Sequence, residues 1–295
     1  MRAIQLDRPG GPDALTVREL PAPARADGEV LIRTIASSIN PVDSKTRAMA
    51  GPERLPMTLG WDLAGVVLAS DHPGFSTGDR VIAMSAQFAT GRGTWADIVS
   101  LPADLLAVAP ASVSLSEAAT LPLAGLTALQ VMDRLRLTAG QTLLVTGAAG
   151  AVGGLAVQLA AHDGITVHGL VSRPEHVDAA RRLGADTATD QTGELGCYDA
   201  VFDTAGVHVP QAVKDGGKYL TVGADTVPDG LASRTLDAGP NYVEQDGAGL
   251  SRLAALVDAG ALRLRIGAQF PIHQSHQAHR RAEQGGLLGK VVLTF

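Results

Sequence analysis

Thr142-Leu-Leu-Val-Thr146-Gly147-Ala148-Ala149-Gly150-Ala151-Val152-Gly153-Gly154 runs on into an apolar stretch ending near Ala161, and Thr166-Val-His-Gly-Leu-Val171-Ser172-Arg173 follows it. An apolar strand feeding a glycine-rich turn, then a helix, then a second apolar strand, is a βαβ unit whose turn suits a dinucleotide. In this reading Gly150 lets the backbone approach a pyrophosphate closely, and Gly153 lets the helix pack tightly on the strand. Ala148 takes the place usually held by the first glycine. Gly147, Ala149, Ala151 and Val152 complete a turn that aims free N–H groups and the positive end of the helix dipole at the phosphates. The competing reading is a glycine-rich turn with no ligand. The flanking strand, the helix and the distance to the second strand all weigh against it.

The end of the second strand says which dinucleotide. Enzymes that use NAD usually carry an Asp or Glu there to bond the ribose hydroxyls. This chain has Ser172 and Arg173 instead. A guanidinium offers planar, forked, permanently charged donors to a phosphate dianion, and a serine adds a short donor without repulsion. NADPH is therefore the expected cofactor. Two readings compete: Arg173 as an ordinary surface residue opening a helix, and Glu175 as a ribose ligand.

Outward from this unit, strands are expected at 199–204 and 217–223, with a short one near 185–189. Helices are expected at 151–161, 174–183 and 208–214. Alternation of this kind gives an α/β, doubly wound parallel sheet. The first 110 residues read differently. Short apolar runs at Ala3–Leu6, Leu15–Glu19, Glu29–Ser37, Gly65–Ala69, Arg80–Met84 and Ala96–Ser100 are separated by turn signals. Ser114-Leu-Ser-Glu117 forms a capping box that starts a helix. After a helix at 248–259, Leu262–Pro271 and Lys290–Thr294 read as strands again. The expected division is a β-rich domain over 1–112, rejoined by 260–295, and a nucleotide-binding domain over 113–259.

Composition narrows the function. The 295 residues carry a net charge of −6 with both signs interspersed, so no basic stripe for nucleic acid exists. The single cysteine, Cys197, allows neither an intrachain disulfide nor a cysteine-built zinc site, and is expected as a small core residue. No apolar run reaches the ~18–20 residues of a membrane span. The N-terminus lacks the apolar core of a signal peptide, so a cytoplasmic protein is expected.

Several further motifs occur in order: Asn40-Pro-Val-Asp43-Ser-Lys45-Thr-Arg47, Leu59-Gly-Trp61-Asp62-Leu-Ala-Gly65, Gly78-Asp-Arg-Val81, Gly93-Thr-Trp-Ala96, Leu121-Pro-Leu-Ala-Gly125-Leu-Thr127 and Gly289-Lys-Val-Val-Leu293. With the glycine turn they resemble the zinc-independent NADPH:quinone oxidoreductase branch of the medium-chain dehydrogenase/reductase superfamily, over nearly the whole chain. The resemblance implies a GroES-like catalytic domain and a Rossmann domain with NADPH in the cleft. It also implies a homodimer or homotetramer and a small quinone or enone substrate. Two segments look short for that family, Leu68–Pro73 and the Gly223–Gly239 region that lies near the nicotinamide in relatives. Gly223 is accordingly expected to touch the cofactor.

Zinc-dependent relatives place a cysteine near Pro41–Asp43 and a Gly-His-Glu where this chain has Gly60-Trp61-Asp62. Of those ligands only Asp62 remains here, and it is equally suited to bonding backbone or pairing with a local cation. His273, His276 and His279 invite a metal reading, but only His276 and His279 share a helical face, with His273 at a strand end after Pro271, so solvated or partner-bonded histidines are expected. Without a metal, hydride transfer to an enone or a quinone needs donors aimed at the developing oxyanion. The resemblance points to Asn40 as an orienting group, to Lys45 as oxyanion or proton donor, and to Thr127 at the start of the helix near the nicotinamide. For Lys45 a surface ion pair with Asp43 is an equal alternative. A short-chain dehydrogenase is excluded: position 151 is Ala where its turn needs Gly, and no Tyr-x-x-x-Lys pair occurs. A biosynthetic enoyl reductase and a non-catalytic NADPH-binding sensor or scaffold stay as alternatives.

Overall fold

The strand Thr142–Thr146 lies inside a six-stranded parallel sheet with the order Thr187–Thr189, Thr166–Leu170, Thr142–Thr146, Tyr198–Asp203, Val213–Val222, Asp237–Asn241. Leu143, Leu144 and Val145 are fully buried, the unbroken apolar run that a strand covered on both faces requires. The helix Ala151–His162 follows the turn and buries eight consecutive residues from Gly153 to Ala160. The computed structural model describes residues 1–223 and 226–295. It divides into one unit of Met1–Leu123, Gln245–Asp258 and Leu264–Phe295, and a second of Ala124–Glu244 and Ala259–Arg263.

The second unit departs from expectation at two connections. Residues 208–214 were expected to be helical; they form only a short 3-10 turn at Pro210–Ala212 before the next strand opens at Val213. The parallel crossover from Asp203 to Val213 is thus shorter than the dozen or so residues such a link ordinarily takes. Side chains take the backbone bonds that a helix would have made. The Asp203 carboxylate accepts the N–H groups of Val207 at 3.1 Å and His208 at 2.9 Å, and the hydroxyls of Thr146 at 2.5 Å and Tyr219 at 3.0 Å. The Tyr219 oxygen in turn accepts the N–H of Val209 at 3.1 Å. His208 adopts the left-handed conformation with φ 57°, which turns the chain back toward the sheet.

The second departure is the edge strand Asp237–Asn241, a segment not read as a strand because Gly239 and Pro240 disfavour one. Arg134 holds it: its guanidinium forks onto Asp237 at 2.8 and 2.7 Å and reaches the Pro240 carbonyl at 2.9 Å. Cys197 is exposed rather than in the core, its thiol donating to the Gln211 carbonyl at 3.4 Å.

The first unit holds a seven-stranded sheet in which the strand Lys290–Thr294 lies between Ile266–Pro271 and Glu29–Ser38. A three-stranded sheet pairs Arg2–Leu6 with Leu15–Glu19 and Met57–Thr58. Trp95 is fully buried between these layers, and Gly60, at φ 108°, must be glycine also because a Cβ there would lie 2.3 Å from the Trp95 ring. The helix Gly247–Asp258 groups with this unit, not with the nucleotide-binding region as expected. A Cβ on Gly247 would lie 2.3 Å from the Asp104 carbonyl, and Asp258 accepts the N–H groups of Ala111 and Ser112. No helix among the described residues is long and apolar enough to cross a membrane.

Replacing Tyr219 with Phe keeps the ring and deletes both polar contacts of the short crossover. The expected loss is about 1–3 kcal/mol of unfolding free energy, read from urea denaturation. An unchanged midpoint would show that the connection is held by other contacts.

Candidate active site

The glycine turn is tight for internal reasons as well as for a ligand. Gly147, φ 62°, is the residue in the left-handed conformation, and a Cβ on it would lie 2.7 Å from the Thr204 hydroxyl. A Cβ on Gly153 would lie 2.2 Å from the Gly147 carbonyl oxygen, so only glycine lets the helix start this close to the strand. Ala148 is accommodated by Gly169 on the neighbouring strand, where a Cβ would lie 2.9 Å from the alanine methyl. Gly150 is the N-cap of the helix in extended conformation and supplies no side-chain cap. Ala151 and Val152 open that helix half-buried, while Ala149 is buried.

Parallel register pairs Leu170 with Thr146, so the two strands end side by side. Val171, Ser172 and Arg173 continue from there, with Ser172 and Arg173 exposed. Arg173 faces Glu175 at 4.0 Å, with side chains 50% and 64% exposed, a solvent-screened pair of the kind worth about 1 kcal/mol or less. These residues fit a nucleotide with a terminal phosphate: a glycine-only approach, a helix N-terminus without a side-chain cap, and an exposed guanidinium beyond the adjacent strand end. Gly223 lies at the end of Val213–Val222 with φ 54° and donates its N–H to the Asn241 carbonyl at 2.9 Å. Thr127 is buried in the helix Pro122–Leu135, five residues past its start rather than at it.

In the first unit the Asn40–Arg47 motif forms the helix Pro41–Met49, with Asn40 as its N-cap. Asn40 is 3% exposed. Its Nδ2 donates to Asp62 Oδ2 at 2.8 Å, and its Oδ1 accepts from Lys290 Nζ. Asp62, wholly buried, also accepts Lys290 Nζ at 2.9 Å, the Ser38 hydroxyl, and the backbone N–H of Leu123 at 2.7 Å. Both competing readings of Asp62 thus hold together: it bonds backbone and it pairs with a cation. Lys290 was legible only as part of the closing Gly-Lys-Val-Val-Leu run. Its signal was a lysine opening an otherwise apolar strand.

Lys45 lies exposed on the same helix. Asp43, considered as its surface partner, is instead wholly buried; one carboxylate oxygen accepts the Asn40 N–H at 2.8 Å and the other has no hydrogen-bond partner. Burial, reinforced by the nearby Asp62 charge, pushes the Asp43 carboxyl up to about 8. The three histidines do not converge. His273 is exposed and His276 half-buried, whereas His279 is buried with Nδ1 2.9 Å from Arg47 and its ring edge-on to Trp95. Burial and the Arg47 charge lower its pKa to about 3. Among the described residues no three His, Cys, Asp or Glu side chains are grouped to hold a metal ion.

Asp43 makes stability depend on pH in a stated direction. Between its ordinary value of 3.8 and its folded value of about 8, the folded chain keeps a proton that the unfolded chain has lost. Its contribution is present at low pH and lost as pH rises through that window. Asp43→Asn should therefore gain on the wild type in melting temperature between pH 5 and pH 8. A difference that does not change with pH would show that Asp43 titrates normally.

Comparison with known proteins shows the family. Residues 26–111 match the alcohol dehydrogenase GroES-like domain and residues 177–293 match the family described as zinc-binding dehydrogenase. The chain is 31% identical, over 96% of its length and 77% of the relative's, to an NADPH-dependent alkenal/one oxidoreductase of Arabidopsis thaliana chloroplasts. It is 30% identical, over 99% of its length and 98% of the relative's, to a chloroplastic quinone-oxidoreductase of Triphysaria versicolor. The structure of the quinone oxidoreductase from Coxiella burnetii superposes with a TM-score of 0.91 at 29% identity, covering 100% of this chain and 99% of that one. The chain is an oxidoreductase of the quinone-reductase type and belongs to the quinone/alkenal oxidoreductase branch of the medium-chain dehydrogenase/reductase superfamily.

Proposed function

We propose that this protein is an NADPH-dependent reductase that delivers a hydride to a quinone or an α,β-unsaturated carbonyl without a metal. The observation that carries the reading is the register of Leu170 with Thr146, which ends the two strands side by side and carries Ser172 and Arg173 on from that edge. The relative named for NADPH dependence supports the same cofactor. Gly147, Ala149, Gly150, Ala151, Val152 and Gly153 would hold the pyrophosphate at the helix N-terminus, with Thr127 and Gly223 as further contacts. Arg173, aided by Ser172, would pair with the ribose phosphate, a charge-assisted contact that NADH does not offer. When bound, the cofactor supplies the hydride. The chain's own task is to orient the acceptor and to stabilise the negative oxygen that forms on it. Asn40 is assigned the orienting role and Lys45 the hydrogen bond to that oxygen, with water supplying the last proton.

Two measurements test this reading. Purified protein should oxidise NADPH in the presence of 1,2-naphthoquinone, phenanthrenequinone or short 2-alkenals. Tight NADPH binding with no turnover across that panel would favour a binding protein instead, and turnover confined to thioester-linked enoyl substrates would favour a biosynthetic enoyl reductase. Arg173→Ala should weaken NADPH binding by about tenfold or more while leaving NADH binding nearly unchanged. Equal losses for both cofactors would remove Arg173 from the site. Stoichiometric zinc that activity requires would overturn the metal-free part.

A further inference from the structure

The buried cluster around Lys290 contains more than a fold needs. Lys290 is a charged residue with its side chain 5% exposed, at the first position of a strand whose next three residues are apolar and buried. Its ammonium bonds two different groups, Asn40 Oδ1 and Asp62 Oδ2, and Asn40 Nδ2 bonds the same Asp62 oxygen at 2.8 Å. The three side chains thus close a ring of hydrogen bonds. A carboxamide is planar and its two ends are chemically distinct. With a cation on its oxygen and a carboxylate on its nitrogen, the Asn40 amide has one allowed orientation. Its second Nδ2 hydrogen therefore points in a single direction. An apolar residue at position 290 would take the cation off the amide oxygen and leave the Asp62 carboxylate alone to hold the orientation. It would also leave the Asp62 carboxylate buried near Asp43 with no cation on it, an arrangement that strongly destabilises a fold.

We propose that Lys290 is a positioning residue for the reductase site: it fixes the orientation of the Asn40 carboxamide through the Lys290–Asp62–Asn40 ring. This rests on the assignment of Asn40 as the orienting group in the proposed function. Lys290 touches neither acceptor nor cofactor in this scheme and acts through Asn40. The same ring ties Asn40 to the start of the helix Pro122–Leu135, because the other Asp62 oxygen accepts the Leu123 N–H. A shift of the ring therefore moves the amide and this helix end together.

The chain has two asparagines, Asn40 and Asn241, which makes the orientation directly observable. Full-length protein labelled with 15N only at asparagine shows two side-chain amide pairs, assigned by Asn241→Ser. The variants are Asp62→Thr, Lys290→Met, and Lys290→Met combined with Asp62→Thr, in which no buried charge is left alone and no further asparagine is introduced. The double variant is expected to fold with a melting temperature near that of the wild type. Its Asn40 amide pair should exchange with water about tenfold faster or more than that of Asp62→Thr, and kcat should fall by about tenfold or more with NADPH affinity held within about threefold. Loss of Asp62 alone leaves Lys290 on the Asn40 oxygen, so a merely structural lysine would give the double variant the same Asn40 signals as the Asp62 variant alone. Asn40 signals in the folded double variant equal to those of Asp62→Thr overturn the proposal, and so does a wild-type kcat in that variant. A wild-type protein with no turnover on any acceptor fails the reductase reading alone. The Asn40 signals still decide the role of Lys290 in that case.

Discussion

Much of the first unit is organised by the buried carboxylate of Asp62. It gathers a lysine from the C-terminal strand, an asparagine from a helix cap, a serine from the end of the longest strand of its sheet, and the backbone N–H of Leu123. Its own backbone carbonyl accepts from Ser37 and Thr94 as well. A buried charge is tolerated only when paired and fully hydrogen-bonded. Satisfying this one therefore brings together segments up to 228 residues apart along the chain. The register that places Val292 against Ser38 brings Lys290 within reach of this cluster.

The second unit shows how a doubly wound sheet keeps its parallel strands when its crossovers are cut short. Where a helix would satisfy backbone N–H groups internally, Asp203 and Tyr219 do it from the sheet itself. The carboxylate stays below its usual range even though burial opposes this, because the Thr146 hydroxyl, the N–H groups of His208 and Val207, and the Tyr219 hydroxyl favour its charged form. Burial and the same carboxylate charge raise the tyrosine's pKa. At the edge, the Arg134 fork supplies what the Gly-Pro sequence of Asp237–Asn241 lacks in strand preference. Local signals misread both places because the decisive partners lie on other elements.

Legibility of the candidate site follows the same division. The glycine turn, the helix it opens and the strand carrying Arg173 were readable because their chemistry is local. Each requirement acts within a few residues, as with the Gly153 backbone pressed on the Gly147 carbonyl. Asn40 was readable as a candidate only through the resemblance, and its partners were not readable at all. A surface ion pair of Asp43 with Lys45 was one of two readings open for Lys45, and the burial of Asp43 removes it from the surface. Thr127 had been placed at a helix start, but the helix begins at Pro122.

The sequence by itself therefore determined the glycine-rich turn, the strand leading to Ser172 and Arg173, and the β-rich, then alternating, order of elements. Glycine spacing, helix capping and apolar periodicity are constraints between near neighbours, and a chain cannot conceal them. Only the tertiary structure decided which charges are buried and what they face. Lys290 is an ordinary basic residue in the sequence. It becomes the partner of Asp62 and Asn40 because an antiparallel strand pairing, set by apolar packing elsewhere, carries it across the sheet. Such a meeting depends on the sum of many long-range contacts, and no local pattern encodes it.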